Sequence, residues 1–195
     1  MAQPQFVPIT NEEYQQIYTF AHQVASSNLG VYARRGQGNI EANIAQNISG
    51  KMAEVAVYKY LCARGKTPDR TPDFEVYADK KDKSFDQDLT VGDVRLHIKS
   101  QSYQQMQRYG ESYVFQHKDA LTRTPDPNDF LVLCLVDETN RQVCVRKVVQ
   151  AAKLVGVYGE PMKESLKHRN LPEREWKAVL YMKDLVAALA PLEKQ

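Results

Sequence analysis

From Asp86 to Gln101 the sequence DQDLTVGDVRLHIKSQ places ionisable or amide side chains at every second position on either side of a Gly92-Asp93 turn signal. Folded about that dipeptide as a hairpin, the segment pairs Val91 with Val94, Thr90 with Arg95, Leu89 with Leu96, Asp88 with His97 and Asp86 with Lys99. Side chains alternate across a strand, so Leu89, Val91, Val94, Leu96 and Ile98 share an apolar face, and the other face gathers Asp86, Asp88, Thr90, Arg95, His97, Lys99 and Gln101. Two carboxylates, an imidazole, an ammonium and an amide so close together suit metal-assisted chemistry on an anion. They equally suit a solvated strand face with cross-strand ion pairs.

Other elements must hold that hairpin. The longest helical pattern runs from Ile40 to about Arg64, with Ile40, Ile44, Ile48, Met52, Val55 and Leu61 at core spacing and Gly65 closing it. Glu54 lies in its most apolar portion, GKMAEVAVYKYL, where a carboxylate needs a cation or a metal-bound water. The alternative is an ordinary helix contact towards Lys51 or Tyr58. The unbroken apolar run Phe130 to Val136 predicts a central strand covered on both faces. A further strand, Gln142 to Val149, follows the turn Asp137 to Arg141.

Around this core, spanning about residues 40 to 150, the spacing predicts a helix over 11–26, opened by Asn11-Glu12-Glu13 with Ile17, Phe20, Ala21 and Val24 inward. A second, over 172–190, opens at Pro172 and buries Trp176, Val179, Leu180, Leu185, Val186 and Leu189. The polar connector 66–84 is expected to hold a short strand, Phe74 to Tyr77. Residues 102–129, rich in Gln and Tyr, read as loops or short elements. Their amides and aromatic rings, with Gln104 and Arg108 among them, suit base edges, sugars and phosphates, or any polar surface. Arg34 and Arg35, bracketed by glycines, fit either a phosphate clamp or a solvated connector.

Composition bounds the rest. A chain of 195 residues with 43% hydrophobic and 26% charged residues supports one sizeable core, hence a single domain over 1–195. Three cysteines without CxxC spacing argue against a disulfide scaffold or a zinc site and for a reducing cytoplasm. Neither a membrane-spanning apolar run nor a signal-like N-terminus is expected. The net charge of +2 selects no partner. Lys and Arg do outnumber Glu between Arg141 and Lys177, which gives a phosphate backbone somewhere to bind, or simply a solvated basic face.

Taken together, the helix with Glu54, Asp88 on one strand, His97-Ile98-Lys99 on the next and the apolar strand Phe130 to Val136 resemble the PD-(D/E)XK nuclease superfamily over Gly50 to Val136. The resemblance implies an α/β (α+β), restriction-endonuclease-like αβββαβ core: a central mixed sheet flanked by helices that hydrolyses phosphodiester bonds with Mg²⁺ or Mn²⁺. It makes Asp88 the metal-binding aspartate, Lys99 the motif lysine and Glu54 the helix carboxylate, with Gln101 two residues beyond the lysine. His97 stands where the family usually has Glu, Asp or Gln. The implied ligands are Asp88, the Ile98 carbonyl, and His97 or a water held by Glu54, while Lys99 orients or deprotonates the attacking water. Asp86 and the Asp73 of Pro72-Asp73 are alternatives to Asp88. Arg95 either holds a neighbouring phosphate or balances Asp86 or Asp88. Loss of a hard oxygen ligand at His97 favours Mn²⁺ or a degenerate site.

The expected function is that of a DNA endonuclease acting on double-stranded DNA as a homodimer. Its alternatives are a catalytically degenerate nucleic-acid-binding module, a junction resolvase or repair nuclease, and a protein-interaction domain.

Overall fold

A computed structural model of the chain describes residues 5–28, 39–77, 87–116, 119–159 and 177–189. Their order is β1 (Gln5–Pro8), α1 (Asn11–Ser27), α2 (Ile40–Cys62), β2 (Leu89–Val91), β3 (Val94–Ser102), α3 (Tyr103–Tyr109), β4 (Ser112–Gln116), α4 (Ala120–Arg123), β5 (Asp129–Asp137), β6 (Gln142–Gln150), β7 (Lys177–Tyr181) and α5 (Met182–Leu189). This is a mixed α/β arrangement. A five-stranded sheet in the order β1-β6-β5-β3-β2 is accompanied by a two-stranded sheet of β4 and β7.

The hairpin forms in the register its turn chemistry dictates: Leu89 opposite Leu96, Thr90 opposite Arg95 and Val91 opposite Val94. Gly92, at φ 56°, supplies the left-handed conformation that the turn needs. The next pairing is parallel, β3 against β5, with Arg95 beside Asp129 and Gln101 beside Leu135. Parallel neighbours require a crossover. Here α3, β4 and α4 make it, so the described residues within 102–129 carry more order than their polarity suggests. β5 is buried along nearly its whole length and pairs antiparallel with β6 on its other side.

Two hydrophobic clusters cover the sheet. On one side α2 lays Ile48, Met52, Val55 and Ala56 against Leu96, Val132, Cys134, Val136, Val143 and Val145. On the other, Leu131, Leu133 and Val149 meet Tyr113, Phe115, Leu180 and Leu185. A β-bulge lies between Leu133 and Cys134, where Lys147 and Val145 are the respective partners and Arg146 is skipped. The bulge changes the phase of β6: Val143 and Val145 face α2, whereas Val149, an even number of residues further on, faces the second cluster.

Several sequence expectations are corrected. The N-cap of α1 is Thr10, not Asn11; its hydroxyl accepts from the Glu13 N–H and the Glu13 carboxylate accepts from the Thr10 N–H in return. Residues 74–77 form no strand, since Asp73 turns the chain there by accepting from the Glu75 N–H and the Tyr77 hydroxyl. Val179 and Leu180 lie on β7 rather than on a helix. Antiparallel pairing of Val114 with Val179 and of Tyr113 with Leu180 overrides a spacing that suits either period, and the helix begins only at Met182. Pro172 and Trp176 fall outside the described residues, as do Arg34, Arg35 and Asp86.

Replacement of Leu131, fully buried between the sheet and the second cluster, by Ala is expected to lower unfolding stability by about 2–5 kcal/mol in urea titrations. Val148→Ala, at a side chain 45% exposed, should change it by less than about 0.5 kcal/mol.

Candidate functional site

The structure divides the polar residues of the hairpin between two ends of β3. At its start, Arg95 and His97 turn to carboxylates that the hairpin does not supply. The Arg95 Nε donates to Asp129 Oδ1 at 2.7 Å, and its Nη2 lies 3.2 Å from Asp126. His97 Nε2 lies 3.0 Å from the same Asp129 oxygen. Arg95 is therefore committed to Asp126 and Asp129 rather than to Asp88, and the expected pairing of His97 with Asp88 is not made. Asp129, only 7% exposed, is the partner that sequence reasoning missed. Burial alone would raise its pKa, but hydrogen bonds from Arg95 and His97 outweigh that and hold it at about 2.

Asp88 sits at the sheet edge just before β2. Its N–H donates to the Leu96 carbonyl, and its Oδ2 accepts from the Ile98 N–H at 2.6 Å. Within a strand, the N–H and C=O of one residue point to the same side. The Ile98 carbonyl thus faces the edge that the Asp88 carboxylate occupies. These two hard oxygen donors suit Mg²⁺, which keeps several waters and needs few protein ligands.

The other two expected ligands do not fit as placed. His97 is buried against Asp129, and Glu54 forms an ion pair with Lys51 three residues earlier on α2. Lys51 itself is 7% exposed, donates to the Asp73 carbonyl at 2.6 Å and lies 4.8 Å from the centre of the Phe20 ring. Asp73, with both carboxylate oxygens engaged in its own turn, is likewise committed locally. Among the described residues, no group of three or more His, Cys, Asp or Glu side chains could hold a metal ion.

At the far end of β3 lie Lys99 and Gln101. Gln101 is 5% exposed and fully engaged: its amide donates to the Gly110 carbonyl at 2.9 Å and to Ser112 Oγ at 3.2 Å, and its oxygen accepts from the Ser112 N–H at 2.9 Å. That bracket fixes β4 over β3 and, with it, Phe115. The Lys99 ammonium rests 5.2 Å from the Phe115 ring centre, a cation–π contact. No carboxylate among the described residues pairs with it. The second tie on β4 is Arg146, which holds Glu111 through two hydrogen bonds of 3.0 and 3.1 Å while Tyr113 donates to the same carboxylate at 3.0 Å.

Lys99 and Gln101 open into a cleft of about 870 Å³ at the carboxyl ends of β3 and β5. Gln104 also lines it; Arg108 sits on the exposed side of α3 with its guanidinium 5.5 Å from the Tyr109 ring. The cleft floor carries Tyr14, whose hydroxyl donates to Glu138 at 2.9 Å. Burial, reinforced by that carboxylate, pushes the Tyr14 pKa up to about 12.

No family model, curated protein or solved structure matches the chain.

Because the folded-state pKa of Asp129 lies below its unfolded value, its contribution is complete above about pH 4 and is lost as pH falls towards 2. Wild-type protein should lose about 2 kcal/mol more stability than Asp129→Asn between those two pH values, read from urea midpoints. An equal loss in both proteins would show that Asp129 does not carry the acid sensitivity.

Proposed function

We propose that this protein is a metal-dependent DNA phosphodiesterase of restriction-endonuclease-like build, with Asp88, the Ile98 carbonyl and Lys99 as its working groups. The observation that carries this reading is the bond from the Ile98 N–H to Asp88. It anchors a carboxylate beside a peptide carbonyl at one edge of β3, one residue before an ammonium that no described carboxylate neutralises. The order α2-β2-β3-α3-β4-α4-β5, with β3 and β5 parallel, keeps two of the three strands that an αβββαβ core has after its first helix and inserts β4 and α4 before β5.

A divalent cation bound at Asp88 and Ile98 would neutralise charge on a nonbridging phosphate oxygen and on the leaving oxygen. The chain's own contribution is positional. Asp88 is held by a backbone N–H, so its carboxylate does not need to be organised when substrate arrives. Lys99, seated on Phe115, presents its ammonium to the phosphate and to the water that attacks it. Gln101 is a positioning residue: it fixes β4, β4 carries Phe115, and Phe115 seats Lys99. His97 belongs to the ion-paired cluster with Arg95 and Asp129, and its role in this reading is structural. A homodimer would bring one such site to each strand of a duplex.

The test is cleavage of supercoiled and linear DNA by purified protein in Mg²⁺, Mn²⁺ or EDTA. Wild type should cut only with metal, and Asp88→Asn and Lys99→Met should each cut at least about 100-fold more slowly while keeping the wild-type circular dichroism spectrum. His97→Ala should lower stability more than it lowers the cleavage rate of the protein that remains folded. Unchanged cleavage by both Asp88→Asn and Lys99→Met would overturn the assignment; DNA binding without cleavage by wild type would favour the degenerate binding module.

A further inference from the structure

The cleft at the ends of β3 and β5 is larger than a single phosphate contact requires, and its chemistry is not that of a phosphate groove. Sites that bury small ligands span about 300–1,000 Å³, and this one falls within that range at about 870 Å³. α2 contributes Ala42, Ala45 and Gln46 to one wall, and α3 contributes Tyr103, Gln104 and Tyr109 to another. Its charged groups are largely held by other residues of the protein. Glu138 accepts from Tyr14, Asp137 accepts from Asn140 and Gln142, and Arg141 donates to Asn11 while lying 4.5 Å from the Tyr14 ring centre.

Apart from Lys99, what faces the space uncommitted is neutral. The amides of Gln46, Gln104 and Gln105 have no hydrogen-bond partner among the described residues, and each presents a donor beside an acceptor. That pairing matches the edge of a nucleobase, and a tyrosine ring offers a flat surface on which any base can stack. Of the lining cations, Lys99 stands at the mouth end of β3 against the Phe115 ring, with no carboxylate partner among the described residues.

We propose that the cleft receives an unpaired nucleobase of the DNA, with the attached phosphate at Lys99. The inference rests on the phosphodiesterase reading of the same strand and names the part of the substrate that reading leaves undefined. A base still stacked in a duplex cannot enter between α2 and α3, so the preferred substrate carries a base that is already unpaired or easily extruded. Gln104 reads its edge and Tyr103 supplies the stacking face.

The experiment is fluorescence anisotropy in EDTA, which prevents metal-dependent cutting, with a labelled duplex that is either fully paired or carries one unpaired nucleotide. Wild-type protein should bind the second about tenfold more tightly, as the loss or gain of one base stack implies. Tyr103→Ala and Gln104→Ala, both at partly or fully exposed positions of α3, should reduce that preference to less than about threefold while keeping the wild-type circular dichroism spectrum. Equal affinity of wild type for the two duplexes, or a preference that survives in both variants, overturns the inference and leaves the phosphodiesterase reading intact. Failure to bind either duplex overturns the inference, and cleavage in the presence of metal then decides the phosphodiesterase reading separately.

Discussion

The parallel ladder between β3 and β5 is the constraint on which the remaining architecture depends. A hairpin turn cannot join parallel neighbours, so the chain must leave the sheet after Ser102 and return at Asp129. What it builds on the way decides the environment of the hairpin's polar face. β4, paired with β7, closes over that face, and side chains that would be solvated on an uncovered strand are desolvated there. Each must then find a partner, because an unpaired buried polar group costs about 1–3 kcal/mol. His97 finds Asp129, Gln101 finds Ser112 and Gly110, and Lys99 finds the face of Phe115.

This covering separates groups that look equivalent in the sequence. Arg95 and His97 serve the start of β3, where two aspartates neutralise them; Lys99 and Gln101 serve its end, where the sheet opens. Gln101 lies four steps along the strand from His97, roughly 13 Å at the usual rise. Glu54 is drawn in a third direction, towards the buried Lys51 on its own helix. A carboxylate embedded in an apolar stretch did signal a partner; that partner was a lysine one turn away, buried between Phe20 and Phe74.

Much of the fold was legible because it is local. The hairpin register follows from a two-residue turn and a period of two, β5 from an apolar run too long for a half-buried strand, and α2 from its spacing and its glycine stop. What could not be read is non-local. Nothing in the sequence assigns Asp129 to His97, since parallel register has no turn to fix it. Val179 and Leu180 fit a helix as well as a strand until β4 is there to pair with them. The Gln- and Tyr-rich stretch after Ser102 reads from its sequence as loops or short elements, not as an ordered wall of a cleft.

The bulge at Arg146 reaches beyond local geometry. Because it changes the phase of β6, one strand supplies valines to both hydrophobic clusters, and β5 does the same with its alternating residues. The two clusters therefore share β5 and β6 as a common floor, and neither can melt without loosening the support of the other. Cooperativity across the sheet is in this sense written into a single inserted residue. The arginine there also clamps Glu111 on the far side, so the residue that couples the two halves of the core is the one that tethers the covering sheet to it.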